Sequence, residues 1–236
     1  MEFENDPIGY AIYEFSKNNS EKNITVFSDL CDDDVIPVNY LFRDLNSMPE
    51  LEKMALSLCK GKILDVGAGA GCHSNILQKK GFDVLAIDTS KGAVDYMLSN
   101  GIKAQKVSVL DLTNEKFDTI LILMNGIGLA KTIDELESFL KQLKSLLNPG
   151  GKIYCDSSDV TYLYMDDDGS VLIDLNGKYH GEMKFNMKYR NVESGWFPWL
   201  YIDFENLHDH ALAVGLKCTL IQESENYCFL VCLESM

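Results

Sequence analysis

Cations are scarce in this chain, with 21 Lys and Arg against 36 Asp and Glu in 236 residues and a formal net charge of −15. A nucleic-acid binder normally presents a basic face. Here the few Lys and Arg are scattered, which argues against nucleic acid as the main partner. Cys-x-x-Cys spacing is absent and the seven cysteines are odd in number, so neither a disulfide framework nor a zinc knuckle is indicated. Isolated packing thiols in a reducing compartment are expected instead. No run approaches the ~18 apolar residues of a membrane span. The start, Met1-Glu2-Phe3-Glu4-Asn5-Asp6, has neither the basic end nor the apolar stretch of a signal peptide. The expectation is a cytoplasmic protein with no membrane partner. Repeats and low-complexity linkers are also missing.

The remaining composition, 46% hydrophobic and 24% charged, is that of a globular protein. The length suits one large domain or a domain with an insertion. Residues 1–45 mix aromatic and acidic side chains and read as a short helix plus a loop, an N-terminal cap segment. The box Ser47-x-x-Glu50 predicts a helix starting at Ser47, with Leu51, Met54, Ala55 and Leu58 on one face and a stop at Gly61. Strands are then expected at 62–66, 83–88, 105–110, 118–124 and 152–156. Helices separate them: one ends at Lys79-Lys80-Gly81, one is capped by Ser90, and one follows the box Thr132-x-x-Glu135. Apolar strands with little alternation, separated by helices, describe a parallel sheet covered on both faces.

Residues 157–202 break that rhythm. Met183, Phe185, Met187 and Tyr189 alternate with Lys184, Asn186, Lys188 and Arg190, the pattern of an antiparallel strand buried on one side. Residues 171–175 are expected to pair with it through the Asn176-Gly177 turn. A helix at 203–214 and strands at 216–222 and 227–233 close the chain. The predicted architecture is a single domain over 1–236. It is a Rossmann-like doubly wound α/β sheet of about seven strands, mainly parallel with the last antiparallel, and residues 157–202 form a small β insertion after the fifth strand. Such an insertion, held over a rigid sheet, is expected to set specificity.

The sharpest motif is Ile63-Leu64-Asp65-Val66-Gly67-Ala68-Gly69-Ala70-Gly71. Glycines after a strand let backbone approach a ligand, and the next helix opens with free N–H groups. The dinucleotide fingerprint Gly-x-Gly-x-x-Gly/Ala fails because position 72 is Cys. Asp88 ends the second strand, where an ionised carboxylate can accept both hydroxyls of a ribose; the alternative is a helix N-terminal acid before Ser90.

Leu64–Gly71, then Ala86-Ile87-Asp88, Phe117-Asp118-Thr119-Ile120 and Leu146-Leu147-Asn148-Pro149-Gly150-Gly151 resemble the successive motifs of class I S-adenosylmethionine-dependent methyltransferases, in the family's order and spacing. The resemblance covers about residues 45–156. It implies S-adenosyl-L-methionine as cofactor and S-adenosyl-L-homocysteine as product, with Asp65, Gly67, Ala68, Gly69 and Gly71 bracketing the methionine moiety. It further implies Asp88 on the ribose with Thr89 or Ser90 beside it, and Asp111 and Leu112 at the adenine. Met124 and Asn125 would lie between cofactor and acceptor, and Arg43 would pair with the methionine carboxylate or else form a surface salt bridge.

The sulfonium is already activated, so few catalytic residues are required, and a base is needed only if the acceptor must lose a proton. Candidates for it are His180, Glu182, Glu193 and Asp159, with no catalytic residue assigned. His73 is expected to cap or pack near the cofactor. His208 and His210 diverge on a helix, and the oxygen set Asn125, Asp156 and Asp159 is not expected to hold a metal. Met124-Asn125-Gly126-Ile127-Gly128 replaces the Asn/Asp-Pro-Pro-Tyr/Phe motif of enzymes that methylate base amino groups. That leaves a small-molecule acceptor at O, N or C, walled by Tyr162, Trp196 and Trp199; the alternative is that these aromatics pack the insertion. Two other functions share the sheet: a nicotinamide-dependent oxidoreductase, and a non-catalytic S-adenosylmethionine-binding protein.

Overall fold

A computed structural model describes residues 3–19, 22–166, 168–173 and 177–236. Two sheets share the chain. The larger is built from β3 (Lys62–Val66), β4 (Asp83–Asp88), β5 (Ala104–Lys106), β6 (Phe117–Ile122), β7 (Leu147–Ser158), β11 (Leu216–Glu223) and β12 (Cys228–Ser235), in the order β11-β12-β7-β6-β3-β4-β5. Pairs within β5-β4-β3-β6-β7 are parallel, and β12 runs antiparallel to both its neighbours. Strand order reverses at β3/β6, the crevice where open α/β sheets bind ligands. Helices α2 (Glu50–Leu58), α3 (Cys72–Lys79), α4 (Lys91–Ser99), α5 (Ile133–Ser145) and α6 (Phe204–Ala213) belong to this part of the chain. Leu136, Phe139, Leu140 and Leu143 of α5 are buried against Ile120, Ile122 and Ile153 in the main core.

Polar side chains lock the strands in register. The Asp118 carboxylate accepts the Lys62 backbone N–H at 2.7 Å and the Asn148 amide at 2.8 Å. The motif residues Asp118 and Asn148 are therefore ties between β3, β6 and β7.

The second sheet is antiparallel, in the order β10-β8-β1-β2, with β9 (Val192–Glu193) paired to β8. Its strands are β1 (Asn23–Ser28), β2 (Asp34–Pro37), β8 (Glu182–Tyr189) and β10 (Phe197–Leu200). Residues 157–202 thus share a sheet with a hairpin from the first 45 residues, through the register Val26↔Met187 and Phe27↔Asn186. The segment read as a helix plus a loop is α1 (Pro7–Asn18) followed by that hairpin. Tyr189, Ile24, Val38 and Ala11 form its own small core. Helix α1 crosses α4 so closely that a Cβ on Gly92 would fall 2.6 Å from Gly9 Cα.

Several boundaries differ from those expected. The helix expected at Ser47 starts at Glu50 behind Pro49. Ser47 instead closes a 3-10 turn, and its N–H is accepted by Asp44. The strand expected at 105–110 stops at Lys106, because Ser108 and Asp111 fold into a turn. Strand β7 starts early, at Leu147, so it includes the Asn148-Pro149-Gly150-Gly151 stop. Val171 makes an isolated bridge to Met165 rather than pairing with β8; residues 174–176, which would carry the expected hairpin turn, lie outside the described residues. Among the described residues no helix is long and apolar enough to cross a membrane.

Candidate functional site

The turn after β3 is shaped by its glycines. Gly67 and Gly69 have φ of +69° and +56°, a region side chains avoid, and a Cβ on Gly69 would meet nothing within 4 Å. The Gly67 and Ala68 amides donate to the Ile87 carbonyl. Asp88 closes the arrangement: one carboxylate oxygen accepts the Gly69 N–H and the other the Ser90 N–H, each at 2.8 Å. Each oxygen keeps a further acceptor site. Burial raises the Asp88 carboxyl above its ordinary value, against the lowering effect of those two bonds.

A cleft of about 760 Å³ opens beside this turn, lined by Gly67, Asp88, Thr89 and Ser90 among others. Val107, Ser108, Val109 and Leu110 line it too, next to Asp88, whose carbonyl accepts the Val107 N–H. Asp111 and Leu112 lie outside its walls: Asp111 is exposed and Leu112 is buried in the main core. The early end of β5 moves the lining four residues back along the chain. The N-terminal stretch Phe3–Ile8 also lines the cleft, a contact no local pattern announced. It is fastened by Asp6, which accepts the Ser90 hydroxyl at 2.9 Å and the Gly92 N–H at 3.2 Å.

Beneath the turn lies a buried ionic group. One Arg43 nitrogen, Nη2, contacts both oxygens of Glu52 at 2.5 and 2.6 Å, and His73 Nε2 meets Glu52 Oε2 at 2.6 Å. Burial opposes charge on His73, but hydrogen bonds to Cys72 and Glu52 win and raise it to about 10. Burial likewise opposes charge on Glu52, and His73 and Arg43 hold its carboxyl below the usual value. Asp65 is 1% exposed, accepts the Ser74 hydroxyl at 2.7 Å, and is raised by burial. Gly71 packs against Met97 and Ile102. Arg43, Asp65, Ala68, Gly69 and Gly71 thus form or support the turn without lining the cleft. Arg43 Nε is buried without a hydrogen-bond partner among the described residues.

A second cavity, of about 1040 Å³, lies where the small sheet faces the ends of β6 and β7. Met124, Asn125, Tyr162 and Trp199 line it. Met124 and Asn125 hold φ of +66° and +55°, unusual for residues with side chains. Asn125 is held there by Asp156, whose Oδ1 accepts its N–H at 2.9 Å, and by the Ser158 hydroxyl at 2.7 Å. Burial, then repulsion from Glu52, pushes Asp156 up to about 7. Trp199, Phe197 and Met187 line both cavities. Trp199 lies so tightly on the 3-10 turn Gly126–Ala130 that a Cβ on Gly128 would fall 2.1 Å from its indole nitrogen. Trp196 lines neither cavity and is 56% exposed.

None of the four candidate bases reaches either cavity. Glu182 accepts the Ile133 N–H at the start of α5, and Asp159 accepts the Thr161 N–H. Glu193 pairs with Lys188, and His180 contacts Thr161. Among the described residues no group of three or more His, Cys, Asp or Glu is placed to hold a metal ion.

Residues 63–151 match the family described as "Methyltransferase domain". The structure of a SAM-dependent methyltransferase from Bacteroides fragilis, in complex with S-adenosyl-L-homocysteine, is 41% identical. It covers 100% of this chain and 97% of that one, with a TM-score of 0.93. Among curated proteins, the cypemycin N-terminal methyltransferase of a Streptomyces species is 30% identical over 102 residues, 41% of this chain and 42% of that protein. The ubiquinone biosynthesis O-methyltransferase of Rickettsia conorii is 29% identical over 108 residues, 43% of this chain and 36% of that protein. The chain therefore spans about two fifths of the length of the curated relatives it matches. It belongs to the S-adenosylmethionine-dependent methyltransferases, and S-adenosyl-L-methionine is the cofactor of that family.

Proposed function

We propose that the protein transfers a methyl group from S-adenosyl-L-methionine to a small-molecule acceptor and releases S-adenosyl-L-homocysteine. The observation that carries this reading is the meeting of two cavities at Trp199, Phe197 and Met187, one beside the glycine turn and one suited to an acceptor. The residues fit the cofactor: Gly67 brings backbone to the cleft wall, and Asp88 beside it has acceptor sites to spare. Asp88 takes the ribose hydroxyls, with Thr89 and Ser90 beside it, while Gly67 presents backbone to the methionine portion, on a turn held by Gly69. Val107 to Leu110 cover the adenine. Arg43 acts through Glu52 and His73 as a support of the turn.

When bound, the cofactor supplies a methyl group already activated on a sulfonium. The protein's own task is then to align the acceptor and exclude competing water. Met124, Asn125, Tyr162 and Trp199 hold the acceptor. Residues 157–202, joined to the hairpin of the first 45 residues, form the specificity element. The excess of acids supports a role without nucleic acid, in the cytoplasm.

Calorimetry with S-adenosyl-L-homocysteine tests this. Wild type is expected to bind, and Asp88→Ala to weaken binding by about 1–3 kcal/mol through lost charge-assisted hydrogen bonds. Unchanged affinity in the variant would remove Asp88 from the ribose. Binding of NAD with no response to S-adenosyl-L-homocysteine would replace the methyltransferase reading with an oxidoreductase.

A further inference from the structure

The two cavities differ in the charges that line them. In the cofactor cleft Lys91, Lys106 and Lys131 are matched by Glu4, Asp6 and Asp88. Among the described residues the acceptor cavity has no Lys, Arg or His in its lining; its charged residues are Asp32 and Asp33, on the loop before β2, and Asp34, which opens that strand. None of these three carboxylates has a cationic partner among the described residues. Acids at a loop tip ordinarily face water and need no explanation. These exposed acids line one cavity together with five aromatic rings, Tyr162, Phe185, Phe197, Trp199 and Tyr201. Phe197 and Trp199 pack edge to face at 6.2 Å, and Phe185 and Tyr201 at 6.2 Å, so the rings present both faces and edges.

The physics of that lining is selective. An aromatic face attracts a cation through its quadrupole, and more strongly where water is excluded. Carboxylates around a cleft with low-dielectric walls focus a negative potential into it. An anionic acceptor entering the same space would meet repulsion and no counter-ion, and desolvating its charge would go uncompensated. A neutral polar acceptor would gain nothing from the carboxylates beyond hydrogen bonds. Met124, Met183 and Met187 add polarizable, adaptable surface, which suits a hydrocarbon body of no single shape.

We infer that the acceptor is a small organic cation, an amine protonated at neutral pH on an apolar or ring-bearing body, drawn in by Asp32, Asp33 and Asp34 and packed on the aromatic wall at Trp199. This rests on the methyltransferase reading and narrows its acceptor by charge. It concerns recognition only and leaves the methylated atom of the acceptor unassigned.

The test uses three matched probes: phenethylamine, 2-phenylethanol and 3-phenylpropionate. Each is titrated into the full chain saturated with S-adenosyl-L-homocysteine, in a Trp196→Phe background so that Trp199 is the remaining tryptophan and reports by fluorescence. The amine is expected to bind about tenfold or more tighter than the alcohol, and the carboxylate more weakly still. Added salt and the variant Asp32→Asn/Asp33→Asn/Asp34→Asn are each expected to erase most of that preference. The inference is overturned if the alcohol or the carboxylate binds as well as the amine, if the triple variant keeps the preference, or if none of the probes perturbs Trp199. Calorimetry with S-adenosyl-L-homocysteine on the same preparation separates the two levels. Cofactor binding without amine preference sinks only this inference, whereas failure to bind S-adenosyl-L-homocysteine sinks the methyltransferase reading beneath it.

Discussion

The two sheets solve recognition in opposite ways. On the large sheet, the cleft forms beside a turn of two glycines in left-handed conformation, whose amides are tied to the Ile87 carbonyl and to the carboxylate of Asp88 at a strand end. Such a site depends on local chain geometry, and one short stretch of sequence encodes it. On the small sheet, side chains do the work. Its strands come from residues 23–37 and 182–200, so the rings and acids that face the second cavity are brought together from opposite ends of the chain. A site built from backbone tolerates change in its side chains but not in its turn. A site built from side chains on a sheet is open to substitution without loss of the fold, which is what variation of acceptor between related enzymes requires.

The sharpest way to break this contrast is to cut the join between the two regions. Arg43 follows the hairpin of the small sheet, and Glu52 and His73 stand on α2 and α3 beneath the large one. Glu52→Gln leaves the Arg43 and His73 charges buried without their counter-ion, and removing one partner of such a group costs about 3–5 kcal/mol. A fall in thermal or denaturant midpoint of that size is expected at pH 6–7. The pH dependence has a definite sign. Glu52 is lowered and His73 raised, so the wild-type advantage is lost as pH drops through the carboxylate range. It is lost again as pH climbs towards about 10, where His73 gives up its proton. A drop near zero would mean that this buried ionic group adds nothing net to the join between the two regions.

Asp156 tests the large sheet's own border on the second cavity, where it holds Asn125. Its folded value of about 7 lies above the ordinary carboxylate value. Folding therefore favours the protonated form, and the stability it contributes is present in acid and lost as pH rises through 7. Asp156→Asn keeps an oxygen to accept the Asn125 N–H and removes the charge. The variant is expected to match wild type near pH 4 and to be more stable at pH 8, by up to ~4 kcal/mol. Equal midpoints at pH 8 would show that the carboxylate is solvated where it stands.

The same difference decides what could be read from the sequence. The alternation of strands and helices, the glycine turn and Asp88 are periodic or contiguous signals, and their positions in the large sheet follow from them. The strand at 182–190 was equally visible, because Met183, Phe185, Met187 and Tyr189 alternate. Its partner β1 was not visible: Ile24 and Val26 sit in a short polar stretch, and nothing local ties them to residues 160 positions away. Within the large sheet the failure was one of boundaries. The apolar residues Val107, Val109 and Leu110 suggested a longer strand, but Ser108 accepts the Leu110 N–H at 3.2 Å and turns the chain. That turn moves the cleft lining back from Asp111 and Leu112. Ser47-x-x-Glu50 failed because Pro49, extended at ψ 153°, stands as the N-cap before Glu50 and Asp44 has already taken the Ser47 N–H.

The finest distinction lies inside the aromatic run Trp196-Phe197-Pro198-Trp199. In sequence its two tryptophans are equivalent candidates for a substrate wall; on the small sheet they are not. β10 pairs with β8 at Trp199↔Met183, which turns Trp199 towards the cavity and seats it on Gly128. Trp196 precedes the strand and faces solvent. Trp199→Ala is expected to impair acceptor binding or turnover about tenfold or more while S-adenosyl-L-homocysteine affinity changes much less, because the cofactor keeps Asp88 and the glycine turn whereas the acceptor loses a main ring of its wall. Trp196→Ala, an exposed substitution away from either cavity, is expected to change stability and both affinities by no more than ~0.5 kcal/mol. Parallel calorimetry and acceptor titration of the two variants decide the matter. If Trp196→Ala proves as damaging as Trp199→Ala, recognition extends beyond the cavity onto the exposed strand end. If Trp199→Ala lowers cofactor and acceptor affinity equally, its ring packs the sheet and the acceptor wall must be sought in Tyr162 and Tyr201.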